Sequence, residues 1–402
     1  MPDIAEALRQ PKPITGGWLY SSLSSLKNKE LQIAVATVYK LNELESHYVN
    51  GIMYFLLPLH KGINKYQRHL ESNWRKVCEE FKPDIIHIHG TEFPHGLSCV
   101  RACSNIRIVV SIQGLLTPIV RYYLAGMSFK DIIKNTTIRD ILFRSGVFQS
   151  LKDFQRRSCF EREIITKVGY AIGRTSWDKT HVLSINPNIE YFNCDETLRP
   201  FFYNNIWNYS NCKKHTILVS QAVYPLKGFH QLLKAMPLVL RYYPDAKVFV
   251  AGKNILKCSS IKDYLHRTGY WRFVKKLIRT LKLQENIIFL GFLDEEDMGQ
   301  AFLDSNVYVC PSSIENSPNS LGEALLLGIP CVASYVGGVP DIMKGHEQWL
   351  YRFDEYEMLT SLICRAFEIR NTQEREIALV RYDASNNASN LMKIYERIIK
   401  IP

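Results

Sequence analysis

The sequence predicts an α/β protein built from two doubly wound parallel sheets, and three observations carry that prediction. Short, continuously apolar runs alternate with longer amphipathic segments, the rhythm of β-α-β units whose sheets are covered by helices on both faces. The rhythm stops once, over 186–214, in a stretch rich in Asn, Tyr and Phe that ends in the polar run NYSNCKKH. It then resumes as a second series. The length of 402 residues fits two or three domains.

In the first series, LQIAVATVY (31–39), IIHIH (85–89) and IRIVVSI (106–112) read as buried strands, with a shorter candidate at 170–174. A helical pattern fills 66–81. In the second series, 216–220, 247–251, 286–290, 307–310 and 331–334 read as strands, and 229–242, 270–281, 321–327 and 355–370 as helices. The expected domains are therefore 1–208 and 209–385. An amphipathic helix near 386–402 is expected to return to the first. Two such sheets leave a cleft, and ligands bind outside the carboxyl ends of parallel strands, where loops and helix starts gather.

Composition narrows the function classes. Apolar residues make up 46% and charged residues 22%, ordinary values for a globular chain. No run approaches the roughly 20 apolar residues that span a bilayer. The opening MPDIAEALRQ lacks the apolar core of a signal peptide, which points to a cytoplasmic protein. The ten cysteines include no CxxC pair, so reduced, mostly buried thiols are expected. Fifty basic against 39 acidic residues leave a net charge of +11. That charge favours anionic partners: a phosphorylated substrate or an anionic membrane face. The cations are dispersed and no nucleic-acid-binding pattern accompanies them, so no nucleic acid is expected; a plainly solvated surface is the simpler alternative.

The most informative segment is VYVCPSSIENSPNSLGEALLLGIPCVASYVGGVPD, 307–341. A strand leads through Pro311 into a polar loop carrying Glu315, Asn316, Ser317, Asn319 and Ser320. A helix then starts near Asn319 or Ser320 and includes Glu323. A helix start with free N–H groups attracts phosphate. Glu315 and Glu323, eight apart, can each accept hydrogen bonds from vicinal hydroxyls; an ordinary polar loop with a helix-start acid is the alternative. Gly328-Ile329-Pro330 ends the helix, and Gly337-Gly338 make a turn suited to close backbone approach to a ligand. Upstream, SQAVYPLKGFH (220–230) follows a strand and opens a helix, which makes Lys227 a candidate point charge for a diphosphate.

This stretch resembles the E-x7-E region of the retaining family 4 glycosyltransferases. The resemblance implies the GT-B fold: two Rossmann-like doubly wound parallel-sheet domains facing a cleft. It implies that Glu315 touches the donor sugar and Glu323 the nucleotide ribose, and that Ser317, Asn319 and Ser320 line the diphosphate site. Gly252 in VAGKN and Gly291 in FLGFL resemble family glycines near the nucleotide base. The family often has an Arg five positions before the Lys; here Ala222 stands there. The implied co-substrate is a nucleotide-diphosphate-sugar, with no further cofactor and no protein-bound metal, since no paired carboxylates of the DxD kind appear.

In the first half, Gly16 and Gly17 of ITGGWL resemble the family's amino-terminal glycine turn, which faces donor phosphates; a helix-entry turn is the plain alternative. A strand usually precedes that turn, and MPDIAEALRQ does not read as one, so either the sheet lacks it or the sequence is cut short. In DIIHIHGTEFPHG, His87 and His89 share a strand face, compatible with metal binding or with packing at a strand end. Glu92 and His95 beyond that strand are the acceptor-side candidates. Gln113 stands where many relatives carry a His near the reacting sugar; it can hydrogen-bond but not act as a base. Arg174 in GRTSWD either reaches phosphate or pairs with Asp178. This region and INPNIEYFNCDETLRPFFY resemble a bacterial capsular and exopolysaccharide subgroup. The implied activity is retaining transfer of a hexose-type sugar to a saccharide or lipid-linked saccharide acceptor at the inner membrane face. A nucleotide-sugar epimerase and a catalytically impaired sugar-nucleotide-binding protein are the alternatives.

Overall fold

A computed structural model describes residues 2–10, 17–27, 31–254 and 268–400. The chain forms two compact units. The first comprises 1–118, 154–198 and 382–402, and the second 119–153 and 199–381. The division thus falls at 198/199, ten residues before the expected 208/209, and 119–153 groups with the second unit.

In the first unit, β1 (Ala34–Tyr39) pairs in parallel with β3 (Ile52–Pro58), and β2 (Glu45–Val49) pairs antiparallel with β3. The unit's sheets are therefore not all parallel. The hairpin turns at Asn50 and Gly51, both at positive φ, as a two-residue connection between twisted strands requires. A second sheet, of order β4 (Ile85–His89), β5 (Arg107–Ser111), β6 (Tyr170–Gly173) and β7 (Glu190–Asn193), is parallel throughout. One core gathers Leu57, Trp74, Leu97, Val110 and Ile164 with helices His69–Phe81 and Pro94–Ala102. The other gathers Val109 and Ile172 with Leu391, Ile394 and Ile398 of the helix Ala384–Lys400. The amphipathic period read near the carboxyl end is thus a helix that buries its apolar stripe in the first unit.

The second unit is one parallel six-stranded sheet of order β10-β9-β8-β11-β12-β13. The strands are β8 (Thr216–Val219), β9 (Lys247–Ala251), β10 (Ile287–Gly291), β11 (Val307–Cys310), β12 (Cys331–Ser334) and β13 (Leu350–Tyr351). Helix Phe229–Tyr242 buries Phe229, Leu232, Leu233, Met236 and Val239. The order runs one way from β8 through β9 and the other way from β8 through β11. The direction therefore reverses between β8 and β11, where such sheets open a crevice at their carboxyl ends.

The segment 119–153 is fastened to this unit by buried polar contacts. His230 Nε2 lies 2.8 Å from the Ala125 carbonyl, and Ser313 Oγ donates to the Tyr122 carbonyl at 3.2 Å. Gly269 N–H donates to Asp140 Oδ2 at 2.8 Å.

Candidate functional site

The reversal point between β8 and β11 gathers Lys227, Glu315 and the start of helix Asn319–Leu327, whereas Gly17 and Arg174, read as donor-side from the sequence, belong to the first unit. After β8 the chain makes a 3₁₀ turn, Pro225–Lys227, and Gly228 follows at φ +66°. A Cβ on Gly228 would overlap the Pro311 carbonyl, so only glycine lets this loop lie on the loop that leaves β11. Ser313 N–H donates to the Leu226 carbonyl at 2.8 Å and joins the two. On the other flank Gly337, at φ +54°, packs so closely on the Glu315 carbonyl that a Cβ would overlap it. Gly338 N–H donates to that same carbonyl at 3.0 Å. The close approach expected of the Gly-Gly turn is therefore made to the backbone of Glu315 itself.

These approaches bring Lys227 Nζ to 2.6 Å from Glu315 Oε1, which also accepts the Ser312 hydroxyl at 2.8 Å. The Lys227 and Glu315 side chains are 25% and 15% exposed, so the pair is shielded yet reachable. Burial pulls the Lys227 ammonium down, but the Glu315 carboxylate, with Tyr224, outweighs it and holds the group above its ordinary value. Lys227 is thus a fixed cation.

Helix Asn319–Leu327 starts beside this pair. Its N-cap is Pro318, whose side chain can accept no hydrogen bond, rather than Asn319 or Ser320 as the sequence suggests. Those two are its first turn, half-buried like Ser317. Ser320 Oγ lies 2.8 Å from the Tyr308 hydroxyl and accepts from Ser220 Oγ at 3.2 Å, tying the helix start to the end of β8. Gly328, at φ +75°, ends the helix as read.

Glu323 is buried in this helix and held in a fork: Arg199 Nε donates to Oε1 at 2.6 Å and Nη2 to Oε2 at 2.7 Å. Burial raises the Glu323 carboxyl, and Arg199 opposes that. Arg199 lies 124 positions away, and nothing in the local sequence ties the two together. At the ends of β9 and β10, Gly252 and Gly291 both take positive φ, and Gly252 N–H donates to the Gly291 carbonyl at 2.7 Å. Among the described residues nothing lies within 4 Å of where either Cβ would be. Ala222, in place of the family cation, is buried. A second ammonium stands one loop over: Lys253 Nζ lies 4.8 Å from the Trp271 ring centroid, and Trp271 Nε1 donates to the Val223 carbonyl at 3.2 Å.

The first unit has its own pocket at the carboxyl ends of β4–β7, lined by His87, His89, Ser111, Gln113, Arg174 and Glu196 among others. Arg174 Nη1 pairs with Glu196 Oε2 at 2.7 Å, and Nη2 donates to the Ile112 carbonyl at 2.6 Å. Gln113 Nε2 donates to Glu196 Oε1 at 2.9 Å. The sequence offered Asp178 as partner of Arg174; Asp178 Oδ2 accepts the Arg174 backbone N–H at 3.0 Å, and Glu196 pairs with the guanidinium. His87 lies between Tyr395 Oη and Ser111 Oγ, each at 2.6 Å, and stacks on His89. Burial lowers both, His89 to about 4. Among the described residues no three His, Cys, Asp or Glu side chains converge as a metal would need.

Glu92 and His95 do not line this pocket. Glu92 accepts the Gly114 N–H at 2.8 Å, and burial raises its carboxyl. His95 lies in helix Pro94–Ala102, where burial lowers it to about 4. Gly17 is the first residue of helix Gly17–Lys27, and Gly16 lies outside the described residues.

Comparison with solved structures defines the class of fold. Sucrose-phosphate synthase from Thermosynechococcus elongatus superposes with a TM-score of 0.69 at 16% identity, over 96% of this chain and 94% of that one. The architecture is GT-B, with two Rossmann-like domains. Residues 208–378, the second unit's sheet and its candidate site, match the family Glycosyl transferases group 1. Spore coat protein SA of Bacillus subtilis is 23% identical over 46% of this chain and 49% of its own length. N-acetyl-alpha-D-glucosaminyl L-malate synthase of Bacillus anthracis is 21% identical over 69% and 64%. The chain spans about half the length, or less, of the first curated relatives it matches.

Proposed function

We propose that the chain is a retaining glycosyltransferase that moves a hexose-type sugar from a nucleotide-diphosphate-sugar to a saccharide or lipid-linked saccharide in surface polysaccharide synthesis. The observation that carries this is the Lys227–Glu315 pair beside a helix start with no side-chain cap, at the reversal point of a sheet that matches a glycosyltransferase family. In this reading Lys227 and the first N–H groups of helix Asn319–Leu327 hold the diphosphate and stabilise its charge as it departs. Glu315 accepts from the donor sugar's hydroxyls. Glu323, kept rigid by Arg199, uses its remaining lone pairs for the ribose diol. Gly252 and Gly291 leave room for the base.

In the transfer, the bond from the sugar's anomeric carbon to the diphosphate oxygen breaks as the acceptor oxygen bonds to that carbon from the same face. The acceptor's proton passes to the departing phosphate oxygen. No side-chain base is required, which accommodates Gln113; the pocket of Gln113, Arg174 and Glu196 is the proposed acceptor side. The enzyme would work in the cytoplasm, at the inner face of the membrane.

The test is a thermal-shift screen of nucleotide sugars, since a ligand that binds only the folded state raises its midpoint. A donor that stabilises the wild type is then followed for transfer. The expected outcome is stabilisation and transfer by wild type, with both lost in Glu315→Ala. No stabilisation by any nucleotide sugar would defeat the reading. Stabilisation without transfer or hydrolysis would favour a binding protein, and epimerised donor without acceptor would favour an epimerase.

A further inference from the structure

The second unit wears one surface the wrong way out for water. In helix Ile138–Leu142, Asp140 is buried, while Ile138, Ile141 and Leu142 are 77%, 70% and 72% exposed. Phe143, which follows, is exposed as well, and so are Phe129 and Ile133 on helix Phe129–Asn135. Helical spacing explains the grouping. Phe129 and Ile133 are four apart, and Ile138, Ile141 and Leu142 are three and four apart, so each set shares a face.

The orientation is fixed rather than accidental. Asp140 Oδ2 accepts the N–H of Thr137 at 3.0 Å and of Gly269 at 2.8 Å, and the Thr137 hydroxyl accepts the Asp140 N–H at 3.1 Å. That capping box pins the polar side inward. Gly269 has no room for a side chain, since a Cβ there would press on the Asn135 carbonyl and on Asp140. The two helices therefore cannot roll to hide their apolar faces without breaking these bonds.

Isolated exposed leucines are ordinary, but six large apolar side chains exposed within fifteen residues, on two successive helices, are the concentration of apolar surface that marks an interaction site. Its charge says with what. Lys130 and Lys134 are exposed within the same fifteen residues, Arg144 directly follows them, and Arg121 precedes them. The acids there are engaged locally, Asp140 as above and Asp131 by the Ser128 cap. A second copy of the chain would set these cations against their own kind. A surface of anionic lipid offers apolar depth for the aromatic and aliphatic side chains and negative headgroups for the cations. Among the described residues no helix is long and apolar enough to cross a membrane, so such a contact lies in the interface.

We propose that helices Phe129–Asn135 and Ile138–Leu142, with Phe143, are an anionic-lipid docking surface that seats the second unit on a membrane face. The proposal deepens the membrane location suggested above, yet its readout needs neither nucleotide nor turnover. Lipid docking can therefore fail while the donor site stands, and the reverse.

The test is co-sedimentation of the full chain with vesicles of phosphatidylcholine alone or with phosphatidylglycerol, at low and high salt. Wild type is expected to pellet with the anionic vesicles at low salt and to be released by salt. Ile141→Asp/Leu142→Asp should abolish pelleting. Each of Lys130→Gln, Lys134→Gln and Arg144→Gln should weaken it about fivefold. These side chains face solvent, so the variants should keep the wild-type melting point and nucleotide-sugar binding. Wild type that stays in the supernatant, or an Asp variant that pellets as wild type does, would overturn the proposal. So would wild type that sediments as a dimer in solution while its Asp variant is monomeric and wild type ignores vesicles; the patch would then be a self-association face.

Discussion

Replacing Lys227 with methionine tests the candidate site at its most constrained contact. The substitution keeps most of the stem and removes the ammonium 2.6 Å from Glu315 Oε1. Breaking a fully buried ion pair costs about 3–5 kcal/mol. Glu315 keeps the Ser312 hydroxyl at 2.8 Å and is 15% exposed, so water and that hydroxyl recover part of the loss. A cost of roughly 2 kcal/mol follows, or a fall of roughly 4–8 °C for a unit of this size. Two units need not melt together, so the transition to follow is the one a bound nucleotide sugar raises. Adding Glu315→Gln to Lys227→Met should restore most of the midpoint, because no uncompensated carboxylate remains. It should not restore donor affinity, which is expected to fall about ten- to hundredfold with the loss of one charge-assisted contact. A double-mutant cycle in urea gives the coupling. Coupling near zero together with unchanged donor affinity would refute both the shielding argument and the role of Lys227.

Two further outcomes rest on other contacts. Gly228→Ala must relieve the overlap with the Pro311 carbonyl by moving the Lys227 turn, at φ +66° where a side chain is already strained. A loss of at least about 2 kcal/mol with collapse of donor binding is expected in melting and titration calorimetry, and near-wild-type values would show that the loops are not so tightly opposed. In the first unit, burial pushes the Glu161 carboxyl up to about 7 although it accepts from the N–H groups of Leu116 and Thr117. The native state then binds more protons than the unfolded state between about pH 4.5 and 7, so its stability falls as pH rises through that window, by up to about 3 kcal/mol. Glu161→Gln should flatten that slope in urea unfolding, and parallel pH profiles for the two proteins would count against it.

What the sequence disclosed was governed by how local the cause was. Strand β11 is apolar throughout and β5 has a buried apolar centre, Ile108–Val110, and helix Phe229–Tyr242 carries its period in its own residues, so these were legible. The β2–β3 hairpin is legible too: Asn50-Gly51 between ESHYV and IMYFLLP is a strong turn signal. Four-residue β7, EYFN, offers too short a run for any period to register. Lys227, Glu315 and Glu323 came from their local motifs, but their pairings did not. Lys227 and Glu315 are 88 positions apart, and Arg199 and Glu323 are 124 apart. Nor could spacing show that 119–153 belongs with the second unit, since His230 and Gly269, which hold it there, lie far downstream.

The two close glycine contacts bear on why Lys227 and Glu315 stand paired. A lysine in a loop ordinarily samples many rotamers, and ordering it when a ligand arrives costs affinity. Here Gly228 fixes one loop against Pro311 and Gly337 fixes the other against Glu315, so the backbone sets the distance between the two side chains. An ammonium has three donors and the carboxylate takes one, which leaves two for the proposed diphosphate without breaking the pair. Arg199 serves Glu323 in the same way, fixing the carboxylate's plane through its inner lone pairs. On this argument the second unit meets its ligand with charged groups already in position. The residues that set its affinity then include two glycines and an arginine that need never touch the ligand.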